Sequence, residues 1–144
     1  PPLIPTDPDE ARQARLWDRV ADTYVTTPVQ TIVGDALRPP DAKDPHGISQ
    51  AHATLDLAHA TLDHQLNGRD HDSWLAGDDF TLADCAAAPA LHYADVLHPL
   101  DRDTHPALAA YFDRLLTRSS VARVVEEARP YRELFPLPWP EHVS

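Results

Sequence analysis

His52, Asp56, His59 and Asp63 recur at spacings of four, three and four residues. On a helix that spacing sets two imidazoles and two carboxylates on one face. Such a set could bind a divalent cation through imidazole nitrogen and carboxylate oxygen. The stripe adjoins the apolar stripe of the same helix, however, and no cysteine joins it. A solvated or interdomain face is the preferred reading, and no metal ligand is assigned. The remaining histidines (46, 64, 71, 92, 98, 105 and 142) are scattered, mostly over expected loops and helix ends, with His105 placed as the cap before Pro106. Glu126 and Glu127 are adjacent, so on a helix they do not face each other and read as solvated surface. Four glycines form no phosphate-binding loop, and without a nucleophile-elbow motif no Ser/His/Asp triad can be read. The lone Cys85 reads as a small buried hydrophobe rather than a reactive thiol. No residue is assigned a catalytic role.

The charge balance narrows the partners. With 23 acidic and 12 basic residues the formal charge is −11, spread evenly along the chain. A uniformly acidic surface argues against nucleic acid and against anionic membranes. No apolar run approaches the roughly 18 residues of a membrane span, and no signal-peptide pattern is present. One cysteine closes no internal disulfide, which fits the cytoplasm. A chain of 144 residues suits one domain with a real core.

The elements that must carry these residues are marked by their ends. In Gly77-Asp78-Asp79-Phe80-Thr81-Leu82-Ala83-Asp84, Thr81 is placed to cap a helix and Asp84 to reach back to the Thr81 N–H. The pair forms a capping box, and Phe80 and Cys85 are placed to close a hydrophobic staple around it. The Ala-rich run that follows spans roughly 82–97, suits a central helix approached closely on several sides, and should bend at Pro89. Asp7-Pro8-Asp9-Glu10 opens an earlier helix. Its apolar stripe is Leu16, Val20 and Tyr24, with Trp17 and Ala21 beside it, and Arg12, Arg15 and Arg19 lie along one side near Asp18 and Asp22. Thr27-Pro28-Val29-Gln30 repeats the capping pattern, so this helix should kink or restart there and run to about Leu37. Residues 38–47 read as a loop rich in breakers. Ile48, Ala51, Leu55, Ala58, Leu62 and Leu66 give the cleanest helical period, stopped by Asn67-Gly68. Pro106 opens a helix with Leu108, Phe112 and Leu115 inward. Ser119 or Ser120 caps a last one, ending near Arg129-Pro130. No strand alternation is visible, so the fold class is all-α, a bundle of about five to six helices. Residues 1–7 read as an interdomain linker remnant, 8–130 as the helical domain and 131–144 as an irregular, proline-rich tail.

The box Gly77, Phe80, Thr81, Asp84, the Ala-rich helix after it and Trp74-Leu75-Ala76 before it together resemble the C-terminal helical domain of the cytosolic glutathione S-transferases. The likeness continues in His105-Pro106, Leu108 and Tyr111 and in Arg118-Ser119-Ser120-Val121, where that family usually carries Pro at the position of Ser119. It implies a parent enzyme with a thioredoxin-like N-terminal domain that holds glutathione, the co-substrate, and the Ser, Tyr or Cys that activates its thiol. None of those residues has a counterpart here, so the chain alone should be inert and a piece of a longer polypeptide, as the absence of methionine also suggests. The resemblance further implies that the middle of the first long helix lines the pocket for a small apolar electrophile. In this sequence the candidates there are Tyr24, Thr27 and Thr31, although Tyr24 also lies on the core stripe and Thr27 is explained by capping. It implies a homodimer in the full-length protein, with the Arg12–Arg19 end of the helix as a second-choice contact after a salt-bridged face. One lysine against eleven arginines hints at a bacterial source. The alternative is a non-catalytic, transferase-like protein-interaction module.

Overall fold

The computed structural model describes residues 2–70 and 72–143. Pro1, His71 and Ser144 lie outside them, and with them the ends of the expected linker and tail. Among the described residues the chain is all-α, with no strand.

Helix α1 (Pro8–Val20) opens where the sequence marks it: Asp7 Oδ1 accepts the N–H groups of Asp9 and Glu10 at 2.9 and 3.1 Å, and Pro8 occupies the first turn, where its missing N–H costs nothing. The expected restart at Thr27 does not occur. Instead α1 runs on through a π-helical stretch, Ala21–Thr26, into α2 (Thr27–Ala36), with Thr26 and Thr27 both right-handed helical. The Thr27 hydroxyl donates to the Asp22 carbonyl at 3.0 Å, the same carbonyl its own N–H reaches, so it serves the helix interior and caps nothing. The cause lies in the buried run Trp17, Ala21, Val25 and Val29. These residues are spaced by four, wider than the 3.6 of an α-helix, and a stretch of wider turns keeps them on one face. The expected core stripe is thereby corrected by one position: Leu16 and Tyr24 are 50 % and 47 % exposed. Two apolar ridges run side by side in this sequence, and the one containing small Ala14 and Ala21 is the one that lets α1 approach its neighbour.

Helix α3 (Pro45–Leu66) starts inside the expected loop, because Asp44 Oδ1 accepts the Gly47 N–H at 2.9 Å and Pro45 fits the first turn. What remains of that loop contains a short 3-10 turn, Pro40–Ala42. Ala51, Leu55, Ala58, Leu62 and Leu66 are buried in period, and Gly68, at φ +83°, turns the chain away in a conformation that favours glycine.

Helix α4 (Leu82–Leu97) is the central rod, packed against α1, the π stretch, α2 and α5 (Pro106–Thr117). Thr81 and Asp84 close the capping box at its start, with the Thr81 N–H donating to Asp84 Oδ2 at 2.8 Å. Asp84 does more than cap. It is fully buried, and its Oδ1 also accepts the Leu75 N–H at 3.0 Å and the Tyr111 hydroxyl at 2.7 Å. The Thr81 hydroxyl donates to Oδ2 at 3.3 Å, so four donors compensate the lost water. Trp74 meets Phe80 edge to face at 5.0 Å beside this hub.

Helix α6 (Ser119–Ala128) begins on Ser119 itself, with Arg118 in the capping position and no side chain bonded there. The tail is not irregular throughout: a 3-10 turn, Arg129–Leu134, follows directly. From Phe135 onward it is non-helical and folds back, Trp139 lying over His92 and Tyr93 and donating from Nε1 to the Val143 carbonyl at 2.9 Å.

Candidate functional site

Tyr24, Thr27 and Thr31 stand on one solvent face of the rod formed by α1, the π stretch and α2. They are there because the core took the neighbouring ridge, so the core explanation for Tyr24 and the capping explanation for Thr27 both lapse. The Thr31 hydroxyl donates to the Thr27 carbonyl at 3.1 Å. Both threonine hydroxyls keep acceptor capacity, and the Tyr24 phenol is presented beside them.

An apolar cleft lies elsewhere. Between α4 and α6 runs a groove of about 380 Å³ lined by Phe80, Cys85, Ala88, Pro89, Val121 and Val124. Helix α6 carries Val121, Val124, Val125 and Ala128 at helical spacing, yet none of its residues is buried, so its apolar face stays open. The Arg118 guanidinium covers the Phe80 ring at 3.7 Å. His92 and Tyr93 connect the groove to a second cleft of about 220 Å³ under the tail, walled by Arg132, Phe135 and Trp139.

Two groups along this groove, His92 and Cys85, are shifted toward their neutral forms. Burial, helped by the Arg132 charge, holds the His92 imidazole below its ordinary range. Burial and the Asp84 carboxylate push the Cys85 thiol above its ordinary value. A protonated thiol between apolar walls is a poor nucleophile; the arrangement can bind apolar surface and activates no group.

The histidine stripe is corrected by the structure. His59 is 3 % exposed, packed against His98 and His105, whereas Asp56 on the same stripe stays exposed as expected. Asp63 Oδ1 accepts the Leu108 N–H at 3.0 Å. Among the described residues no group of three or more His, Cys, Asp or Glu is placed to hold a metal ion. The arginine face is paired differently from expectation: Arg12 bridges Asp9 at 2.8 Å and Arg15 donates to the Ala11 carbonyl. Glu126 is exposed and bridges Arg129 at 2.7 Å. Sequence reading missed the open face of α6, although Val121, Val124 and Val125 carry the signal, and missed Tyr111 and Leu75 as partners of Asp84, which no spacing could reveal.

Comparison with known proteins places this geometry. A family model described as "Glutathione S-transferase, C-terminal domain" matches residues 12–114. A solved glutathione S-transferase from Methylobacillus flagellatus, with GSH bound, is 27 % identical with a TM-score of 0.74 over 84 % of this chain and 59 % of its own. Another from Methylobacterium radiotolerans, complexed with glutathione sulfonate, is 29 % identical with a TM-score of 0.72 over 100 % of this chain and 61 % of its own. Glutathione S-transferase 1 of Manduca sexta is 40 % identical over 43 residues, 29 % of this chain and 20 % of that protein. The chain thus spans about three fifths of the solved relatives' length. Among the described residues no helix is long and apolar enough to cross a membrane.

Proposed function

The chain belongs to the C-terminal domain family of the glutathione S-transferases, and from that membership we propose that it is the wall against which a small apolar electrophile is held during glutathione conjugation. In that reaction the glutathione sulfur bonds to the electrophilic carbon as the leaving group departs or the acceptor bond opens. Activation of the thiol falls to a thioredoxin-like domain outside this chain, which alone has no transferase activity. The electrophile rests near Tyr24, Thr27 and Thr31. The observation that carries this reading is the exposure of Tyr24 at the π stretch: a large aromatic with a polar tip is left uncovered in mid-helix although the helix buries the residues on either side of that turn. The groove between α4 and α6 is the seat of the thioredoxin-like domain, and the isolated chain self-associates through it. In the full-length protein the pair forms a homodimer in the cytoplasm.

The test is Tyr24→Phe in a two-domain enzyme containing this chain, assayed with an aryl halide and glutathione. The expected result is a several-fold rise in the KM or fall in the kcat for the halide, with the KM for glutathione and the melting temperature unchanged. Unchanged halide kinetics, or lost folding with normal kinetics in the surviving protein, would overturn it.

A further inference from the structure

Four histidines meet where α3 crosses the corner between α4 and α5. His98 follows the last residue of α4, and His105 occupies the capping position of α5. His52 and His59 come up from α3. His98 Nε2 lies 2.8 Å from Asp56 Oδ1, and His52 Nδ1 lies 3.0 Å from His98 Nδ1. His59 sits buried beyond them, its ring 5.5 Å from that of His98 and 6.1 Å from that of His105.

The hydrogen bonds assign the protons. A carboxylate only accepts, so His98 Nε2 carries hydrogen. Neutral His98 then offers a lone pair at Nδ1, and His52 Nδ1–H must donate to it. The chain therefore runs from His52 through His98 to Asp56, and in this direction it needs an unprotonated Nδ1 on His98. A proton added to His98 sets two N–H groups against each other at the Nδ1···Nδ1 contact. His52 must then turn away or change tautomer.

We propose that this seam is a proton-operated latch: neutral, it clamps α3 to the α4–α5 corner, and in mild acid it accumulates like charge and lets the corner open. The surrounding acids offset this charge only in part, Asp56 most directly because it pairs with His98. On α3, Asp56 already holds His98 and Asp63 is bonded to the Leu108 N–H. On α4, Asp95 accepts the Leu100 N–H at 2.9 Å and faces His142 from the tail at 3.6 Å. In the turn, Asp101 is taken up by the Thr104 hydroxyl and N–H. Burial first, then His98 and His105, lower the His59 pKa from 6.5 to about 4, against the weaker pull of Asp56 and Asp95. Because the folded value is the lower one, the unfolded chain binds the proton more tightly. The stability that rests on neutral His59 is full above about pH 6.5 and is lost as the pH falls toward 4.

The test is the unfolding equilibrium of the chain at pH 7 and pH 5, for the native sequence and for His59→Gln. His59 alone should lower the folded-to-unfolded ratio of the native chain about twenty-fold across that interval, from its values of 6.5 and about 4. His59→Gln should lose that part of the fall. His52→Asn, whose amide can either donate or accept, should also flatten the curve and serves if His59→Gln does not fold. His64→Gln, exposed on the same helix, should leave the curve untouched. Imidazole nitrogen NMR at neutral pH should show His98 as the Nε2–H tautomer and His52 as Nδ1–H. Native-like pH curves in both seam variants, or the opposite tautomers, would overturn the latch.

Discussion

The Tyr111 hydroxyl of α5 donates to Asp84 Oδ1 of α4 across 2.7 Å, with both side chains buried. The bond ties the helix that follows the corner to the start of the central rod through one carboxylate. Burial and the Asp84 charge together raise the Tyr111 pKa well above the ordinary phenol value, so the hydroxyl stays a donor throughout the stable range.

Tyr111→Phe leaves the ring in place and removes one of four donors from a buried carboxylate. The expected loss is about 1.5–3 kcal/mol, the range for hydrogen bonds to charged groups. Thr81→Ala, which also weakens the cap, should cost about 1 kcal/mol or somewhat more at this buried site. Urea unfolding with an unchanged m-value checks both. A Tyr111→Phe loss below a few tenths of a kcal/mol would show that the phenol's partner is incidental.

The same hub shows what a sequence can reveal. Thr81 and Asp84 are three residues apart, so their bond is local and its chemistry can be read from residue types alone. Leu75 and Tyr111 lie 9 and 27 residues from Asp84, and only the packed fold brings them together. The bounds of α4 and the inward faces of α3 and α5 were legible for the same reason, since caps, prolines and a clean period of three and four are local signals. The first rod was misread by one position because both Leu16-Val20-Tyr24 and Trp17-Ala21-Val25 are apolar at the same spacing. The π stretch, which keeps Trp17, Ala21, Val25 and Val29 on one face, carries no local sequence signal that separates the two sets. The histidine seam was hidden for a third reason: periodicity places His52 and His59 on a face but does not say that His98 and His105 will cover it.

That offset makes a second prediction. Val25→Ala empties a fully buried position, and Leu16→Ala trims a half-exposed one. The first should cost about 1–3 kcal/mol through lost burial and the cavity left behind. The second should stay within about 0.5 kcal/mol. Thermal unfolding of the two variants decides which ridge faces the core. A larger loss for Leu16→Ala would reverse the assignment and, with it, the exposure of Tyr24 on which the proposed co-substrate wall depends.

Cys85 lines the groove between α4 and α6 and lies next to Asp84 in sequence. Burial first and the Asp84 charge second hold its thiol pKa above the ordinary value of 9.0, against a smaller opposing effect of Arg118. Only the thiolate is alkylated, so a raised pKa means a smaller reactive fraction at any given pH. Iodoacetamide should therefore modify Cys85 more slowly than a free cysteine peptide at pH 8. The pH–rate curve should rise with its midpoint above 9, as long as the fold persists. In a protein where a second domain occupies the groove, labelling should fall further at every pH, because access is lost as well as thiolate. Mass spectrometry of the labelled chain measures both effects. A midpoint at or below the free-cysteine value would mean that the groove is wetter, or the Arg118 charge nearer, than the packing around Phe80 indicates.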